Sequence, residues 1–318
     1  MSALLIRLLR PLLRRYALAR PNARSSHSVP TPQGGGIAVV AATLSAALPL
    51  VLVFEGLHGL PGFALLAAAT LALALLGGVD DIRPLSPAIR LLVQILAVAV
   101  VVQLVDPGRL LPEAIPAWLE RSLLVLAGAW WVNLVNFMDG IDWITVAEFV
   151  PLTCAIALLG LAGILPPGVA GVAAALLGAL LGFAPANRPV AGLFLGDVGS
   201  LPIGLLSGWM LLELSKAGHL AAALLLPLYY LADATLTLGL RARRRERVWT
   251  AHRSHFYQRA LDRGLRVIEV DRHVFGLNLV LAALAAATIR WADLRAPALA
   301  LGAILVALTL RRFASQAR

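Results

Sequence analysis

The stretch SLLVLAGAWWVNLVNFMDGIDWITVAEFV, residues 122–150, places the polar segment NLVNFMDGID (133–142) between two apolar runs. Burying a polar group without a partner costs roughly 2–7 kcal/mol, so these carboxylates and carboxamides need ligands or partners. Similar apolar runs of about 20 residues recur along the chain, and each is long enough to cross the ~30 Å of hydrocarbon in a bilayer. The stretch therefore predicts membrane-spanning helices joined by a polar segment that binds something.

The composition supports a membrane protein. The chain has 318 residues, of which 60% are hydrophobic and 14% are charged, and a mean hydropathy of +0.85. Soluble domains carry about 25% charged residues. Because backbone polar groups in lipid must be satisfied internally, we predict an all-α polytopic bundle. The single Cys154 excludes an intrachain disulfide. The formal charge of +10 does not require nucleic acid as a partner, since membrane proteins collect Arg in cytoplasmic loops.

The apolar runs predict one integral membrane domain, residues 1–318, with ten transmembrane helices. Residues 1–35 read as an amphipathic interfacial helix followed by a Gly-rich loop, because Arg residues alternate with leucines. A short first span in this segment would raise the number of crossings to eleven. Residues 241–272 form a basic loop. The ten predicted spans are 37–54, 63–79, 88–105, 122–138, 144–164, 169–183, 199–214, 219–240, 273–289 and 296–310.

Most of the 27 Lys and Arg residues fall on one side of this topology, which the positive-inside rule assigns to the cytoplasm. The C-terminus is expected on the same side. The polar motifs fall there too, whereas the opposite loops carry no comparable cluster. The motif segments are RSSHSVPTPQGGG (24–36), GGVDDIRPLS (77–86), NFMDGID (136–142), FAPANRPVAGLFLGDVGS (183–200) and RARRRERVWTAHRSHFYQR (241–259).

Five acids lie in three of these boundary segments. A single boundary acid often caps a helix and stays hydrated, but five on one face indicate a shared ligand. Hard oxygen ligands without Cys favour Mg²⁺, or Mn²⁺ as an alternative. Glycines at 34–36 and 196–199 permit close backbone approach, and the second group opens a helix whose N-terminus favours phosphate. The acids are Asp80, Asp81, Asp139, Asp142 and Asp197.

A histidine pair and one intramembrane acid complete the candidate residues. His252 and His255 lie beside the Arg-rich run 241–247, which alone could be an anchor for lipid headgroups. Next to the acids, the pair is better explained as a partner of a pyrophosphate. Asp233 lies inside a predicted span, where an ionisable group is usually paired or functional. Pairing with an Arg of the 241–247 run and a functional role both remain open.

Together these motifs resemble the polyprenyl-phosphate N-acetylhexosamine-1-phosphate transferases, and most closely the branch that initiates bacterial O-antigen and related cell-surface polysaccharides. The resemblance extends in order from about residue 20 to 310. The chain departs from the family at Trp143, where Gly is common, and at Gly192, where a basic residue is common. Carried over residue by residue, the resemblance implies catalytic Asp80, Asp81 and Asp139, metal-binding Asp197 and Asp139, and substrate-binding Asn133, Asn136, Asp142, His252, Arg253 and His255.

The reaction implied by the resemblance is the transfer of a sugar-1-phosphate from a UDP-amino sugar to undecaprenyl phosphate, with release of UMP. It starts the synthesis of a lipid-linked glycan at the cytoplasmic face of the inner membrane. A phosphate dianion is already a competent nucleophile, which favours direct attack over a covalent intermediate. A homodimer is left open, and the lipid bilayer is the remaining partner.

Two alternatives remain at this point. A transporter would carry polar residues at mid-span, and another membrane phosphotransferase of the CDP-alcohol type would need an Arg within DGIDWITVAEFV, which has none. The donor sugar is also undecided, and UDP-linked N-acetylglucosamine, N-acetylfucosamine and N-acetylquinovosamine all remain candidates. The resemblance implies that HRSHFYQR, in place of three consecutive histidines, argues against a muropeptide donor.

Overall fold

The computed structural model describes residues 1–19, 30–106, 108–247 and 252–315. These residues form helices joined by short connections, and the only strands among them are two residues long. The predicted all-α polytopic membrane fold is confirmed. The helices are α1 (Ser2–Tyr16), α2 (Gly35–Glu55), α3 (Leu60–Ile82), α4 (Pro87–Val105), α5 (Ala117–Met138), α6 (Ile144–Leu161), α7 (Pro167–Phe183), α8 (Asp197–Lys216), α9 (Leu220–Leu225), α10 (Leu228–Arg243), α11 (Phe256–Asp262), α12 (Val267–Arg290) and α13 (Arg295–Ala314).

The ten predicted spans all contain helix, but they are not equally suited to cross a bilayer. Within the described residues, 7 helical stretches are long and apolar enough, and one of them, Gly35–Ile82, includes both α2 and α3. The apolar helix α7 is shorter. The predicted span 219–240 is broken into α9 and α10 at Leu226–Pro227, because proline has no N–H for the helical ladder and its ring blocks the preceding turn. The number of ten crossings remains a prediction.

Helix α1 lies along the end of the bundle that bears the motif segments. The hydroxyl of Ser2 donates to the carbonyl of Ala179, near the C-terminus of α7. At the other end of α1, Leu13 packs against Gly34, just before α2 begins. Both contacts lie at the same end of the bundle, which we call the motif end. The leucines of α1 that remain exposed are Leu4, Leu8 and Leu12.

Three helices meet at the motif end with almost no side chain between them. A Cβ atom at Gly36 would lie 2.2 Å from the Cα of Gly199, and one at Gly77 would lie 2.2 Å from the carbonyl oxygen of Asp197. Both distances are far below van der Waals contact, so α2 and α3 touch the start of α8 through their backbones. This approach fixes the Asp197 segment against the end of α3.

The Gly-rich segment before α2 is bound to the same place. Strand β1 (Leu18–Ala19) pairs with antiparallel β2 (Thr31–Pro32). Beyond β2, the backbone N–H of Gly35 donates to the carbonyl of Phe194 at 2.8 Å. The described part of the first polar motif, residues 30–36, therefore lies beside the segment that leads into α8, as the sequence predicts for motifs on one face.

The close contact at Gly77 generates a matched pair of substitutions. Gly77→Ala should destabilise the protein by about 1–3 kcal/mol, the usual cost of overpacking, because its Cβ meets the backbone of α8. Gly78→Ala should be tolerated, because its Cβ would meet the Val198 side chain at 3.6 Å, an ordinary contact. Thermal unfolding in detergent measures both. Equal melting temperatures for the two variants would contradict the backbone contact.

Candidate active site

A cavity of about 420 Å³ opens at the motif end between the loops that follow α3, α5 and α7. It gathers five of the polar residues predicted from the sequence, although they come from three separate motif segments. The predicted residues that line it are Asp81, Asn136, Asp139, Asp142 and Asp197, and the other polar residues are Gln33, Asn187 and Gln258.

Asp81 holds the start of α8. Its Oδ1 accepts the backbone N–H of Asp197 at 3.0 Å, and its Oδ2 accepts that of Val198 at 3.2 Å. The side-chain amide of Gln33 also donates to Oδ1, at 2.6 Å. The first N–H groups of a helix have no partner within it, so a carboxylate placed there both satisfies them and interacts favourably with the helix dipole.

Asp80 points to a different partner. Its Oδ1 accepts the backbone N–H of Leu85 at 2.7 Å, and its Oδ2 forms an ion pair with Nη1 of Arg90 at 2.7 Å. Asp80 does not line the cavity. Among the described residues, it acts on the cavity through Arg90.

Arg90 is a residue of the site that the motif analysis missed. Its Nη2 lies 3.3 Å from Oδ2 of Asp197 and donates to Oδ1 of Asn136 at 3.4 Å. One guanidinium thus connects Asp80, Asp197 and Asn136. The signal in the sequence that could have found it is a lone Arg one turn into the helix that follows the paired acids.

The two predicted asparagines of α5 differ in role. Asn136 lines the cavity and donates to the hydroxyl of Ser200 at 2.9 Å. Asn133 lies one turn deeper, where its amide donates to Oε1 of Gln94 at 2.5 Å. Asn133 does not line the cavity and instead ties α5 to α4.

Asp139 ends α5 and faces other acids. Its Oδ1 accepts the hydroxyl proton of Thr145, in the first turn of α6. The pKa of Asp139 rises from 3.8 to about 7, chiefly because the carboxyl is buried and further because of the negative charges of Asp81 and Asp142, while the Thr145 hydrogen bond opposes the rise. An excess of buried negative charge of this kind favours a cation or an electron-deficient group in the cavity.

The segments on either side of the cavity are joined by Asp142 and Trp143. Oδ2 of Asp142 accepts the backbone N–H of Ala191 at 2.9 Å. Trp143 has a φ of 63°, a conformation that costs a non-glycine residue about 1–2 kcal/mol, which explains why Gly is common there. Its backbone N–H donates to Oδ1 of Asn187 at 2.8 Å, and its indole N–H donates to the carbonyl of Ala184. These bonds hold the left-handed tryptophan in place.

His255 is buried beside Asp233. Its Nδ1 lies 3.3 Å from Oδ1 of Asp233. The same carboxyl accepts the backbone N–H of Phe256 at 3.0 Å and that of Tyr257 at 3.2 Å, so it caps α11. The partners shown for Asp233 are therefore His255 and the first backbone N–H groups of α11, which offer its carboxylate several donors at once.

His252 stacks on His255 with ring centroids 4.7 Å apart. Burial, followed by the neighbouring His255 and Arg241, lowers the pKa of His252 from 6.5 to about 4, so its ring is neutral at pH 7. Neither histidine lines the cavity, and Arg253, paired with Asp262 at 3.1 Å, does not line it either. Their role toward a substrate remains a prediction.

Helix α11 nevertheless reaches the cavity. The hydroxyl of Tyr257 donates to the carbonyl of Phe137 at 3.3 Å, and a Cβ at Gly140 would lie 2.1 Å from that hydroxyl. Gly140 therefore leaves the space in which Tyr257 sits. The next residue along, Gln258, lines the cavity.

The structure is an all-α polytopic membrane protein. Acids from three motif segments surround one cavity at its motif end. Residues 63–215 match the profile of glycosyl transferase family 4. This match and the relatives named below support a similarity to the polyprenyl-phosphate hexosamine-1-phosphate transferases.

Three relatives illustrate the similarity. The phospho-N-acetylmuramoyl-pentapeptide-transferase of Gloeothece citriformis is 34% identical over 199 residues, which cover 55% of this chain and 50% of that protein. The decaprenyl-phosphate N-acetylglucosaminephosphotransferase of Mycobacterium tuberculosis is 31% identical over 218 residues, 60% of this chain and 52% of that protein. A probable undecaprenyl-phosphate N-acetylglucosaminyl 1-phosphate transferase of Bacillus subtilis is 24% identical over 285 residues, 83% of this chain and 76% of that protein. The match spans about half the length of the first two relatives.

The raised pKa of Asp139 predicts that replacing its carboxyl by an amide changes the stability of the protein by an amount that depends on pH. The folded protein keeps this proton up to about pH 7, whereas the ordinary pKa is 3.8. Stability is therefore lost as the pH rises between these values and stays low above them. Asp139→Asn should raise the melting temperature more at pH 8 than at pH 5, by a few degrees.

Thermal unfolding in the presence of EDTA, at both pH values, measures this difference without interference from metal ions. Asp293→Asn is the control, because Asp293 is an exposed acid far along the chain in the turn before α13. A gain in melting temperature that is the same at pH 5 and pH 8 would contradict the raised pKa.

Proposed function

We propose that this protein transfers a sugar-1-phosphate from a UDP-activated N-acetylhexosamine to undecaprenyl phosphate, releasing UMP and starting a lipid-linked glycan. The observation that carries the proposal is the convergence of Asp81, Asp139, Asp142 and Asp197 around one cavity at the motif end of a membrane bundle. Such a position is reached by a water-soluble donor from one side and by a lipid acceptor from the membrane. The excess of Lys and Arg at this end favours its placement on the cytoplasmic side of the inner membrane.

The donor atoms at the cavity suit Mg²⁺, or Mn²⁺ in its place. They are hard carboxylate oxygens. Among the described residues Oδ2 of Asp139 makes no hydrogen bond or ion pair, while the Asp197 carboxyl pairs with Arg90 at 3.3 Å and is also reached by the side-chain amide of Asn136. No group of three or more His, Cys, Asp or Glu side chains in the described part of the chain forms a ready-made cage. Protein sites for Mg²⁺ usually combine one or two carboxylates with substrate phosphates. Asp197 and Asp139 would hold the ion together with the donor, where it would neutralise the phosphate charge.

The protein's own residues divide the remaining tasks. A phosphate oxygen of the lipid attacks the phosphorus that carries the sugar, the bond to the bridging oxygen breaks, and UMP leaves with that oxygen. A phosphate dianion needs no base to become nucleophilic. We therefore propose that Asp80 and Asp81 position other groups of the site and do not accept a proton from the lipid phosphate. Asp80 fixes Arg90, which is oriented toward Asp197, and Asp81 fixes the start of α8.

An apolar cavity of about 200 Å³ supports a polyprenyl acceptor. It lies between α4, α5, α8, α9 and α10, and Trp131 and Val132 of α5 line it. Val132 is one helical turn from Asn136, which lines the polar cavity. A prenyl chain in the apolar cavity would therefore bring its phosphate toward the acids.

The relatives do not agree on the donor sugar. Relatives are named for both a muramoyl-pentapeptide and an N-acetylglucosamine donor, so both classes belong in the test together with the 6-deoxy sugars. His252, His255, Arg253, Asn136 and Asp142 are the residues we propose for donor contacts, and Asn133 for support of Asn136 through α5.

Purified protein incubated with undecaprenyl phosphate and a panel of UDP-sugars should release UMP with at least one N-acetylhexosamine donor, and only with Mg²⁺ or Mn²⁺ present. Asp197→Asn should reduce turnover below about a tenth, because a lost metal ligand removes several kcal/mol of charge stabilisation. Asp293→Asn should leave it unchanged. UMP release that persists in Asp197→Asn would contradict the metal assignment, and no release with any donor would contradict the proposed function.

A further inference from the structure

A second acidic feature lies inside the bundle, away from the cavity. Glu148 of α6 is fully buried, one turn beyond Thr145. Its helix is a candidate membrane span. No basic side chain among the described residues forms an ion pair with it. An ionisable group in this position is costly unless a partner neutralises its charge.

One half of the Glu148 carboxyl has a partner. The side-chain amide of Asn278, from α12, donates to its Oε2 at 2.7 Å and also reaches the carbonyl of Ala147 at 3.2 Å. The other carboxyl oxygen, Oε1, and the amide oxygen of Asn278 have no hydrogen-bond partner among the described residues, and both are buried. A carboxyl oxygen and an amide oxygen are both acceptors, so neither satisfies the other.

Tyr230 brings a third helix to the same place. It lies in the first turn of α10, directly after the break at Pro227, where backbone N–H groups have no partner within the helix. Its N–H approaches the Glu148 carboxyl. Its hydroxyl oxygen is also buried, makes no hydrogen bond of normal geometry in the described part of the chain, and lies near Thr145 as well as Glu148. The unsatisfied atoms of this group are all oxygens.

We propose that Glu148, Asn278 and Tyr230 form an intramembrane site for one monovalent cation, either a proton or a sodium ion, that joins α6, α10 and α12. A proton on Oε1 lets the acid donate to the Asn278 carbonyl oxygen, opposite the amide N–H that already donates to Oε2, so that acid and amide satisfy each other. A sodium ion would be coordinated by the same oxygens. A single carboxyl matches a single positive charge.

The site goes beyond the proposed reaction, but it supports the walls of the cavity. Thr145, one turn before Glu148, holds Asp139. Asp233, one turn after Tyr230, caps α11. The helix that carries Asn278 begins at Val267, which lines the cavity. The other titratable side chains on these helices near the site are Tyr229 and Asp233 of α10 and Asp271 of α12, and none of them is a cation.

Infrared spectroscopy of the purified protein at neutral pH separates the two cations. We expect a protonated-carboxyl C=O stretch that is present in the wild type, absent from Glu148→Gln and unchanged in Glu113→Gln, which alters an exposed loop acid. If sodium occupies the site, the band is missing, and the wild-type melting temperature instead rises when N-methylglucamine is exchanged for sodium at constant ionic strength. That rise should be lost in Glu148→Gln.

A wild type with neither a Glu148-dependent band nor a Glu148-dependent response to sodium would overturn the proposal. Tyr230→Phe replaces Glu148→Gln if the latter does not fold, because the ring keeps its edge contact with Phe149. Its loss of the hydroxyl should shift the band or weaken the sodium response. Neither readout uses turnover, so these outcomes are independent of those of the UMP assay.

Discussion

The carboxylate of Asp81 accepts two backbone N–H groups at the start of α8, and the arrangement of the cavity depends on this contact. A helix that begins at the boundary of a bilayer has unpaired donors that neither lipid nor its own backbone satisfies. By supplying the acceptor from α3, the protein fixes Asp197 across the cavity from Asp139. The contact also requires α3 and α8 to approach until their backbones touch, which only a glycine at position 77 allows.

This arrangement concentrates negative charge that the fold must tolerate. Arg90 offsets part of it by contacting Asp80 and Asp197 together. Asp139 lacks an arginine partner among the described residues, and its pKa rises accordingly. A protein optimised only for stability would neutralise these acids with fixed cations. Keeping these acids near each other lowers the stability of the protein. Such a loss is expected where a site binds a charged ligand, because active-site chemistry and stability often conflict.

The sequence allowed the helical membrane fold and the gathering of Asp81, Asn136, Asp139, Asp142 and Asp197 to be predicted, because apolar run length and loop parity depend only on local composition. The sequence did not show that Asp81 lines the cavity while Asp80 does not. Adjacent residues point in different directions, and the partners that decide their roles are set by the fold.

The break at Pro227 was missed for a similar reason, because the apolar composition of 219–240 continues through it. The Glu148–Asn278 pair joins residues 130 positions apart, and no periodicity encodes such a contact. Asn133 was assigned to the substrate by its motif, yet its amide bonds to Gln94. Motif spacing indicated which segments converge, and three-dimensional contacts decide which side chain of each segment faces the cavity.

The central claim is that Asp139 and Asp197 together hold a divalent cation that also contacts the donor diphosphate. Electron paramagnetic resonance titration of Mn²⁺ tests it most directly, using the purified protein in detergent at a fixed concentration of UDP. The account predicts that the wild type binds Mn²⁺ and that the Asp139→Asn/Asp197→Asn double variant binds it more than about tenfold more weakly, since losing even a partner of a metal ligand weakens binding by about 10–100-fold. Equal Mn²⁺ affinity in the two proteins would contradict it.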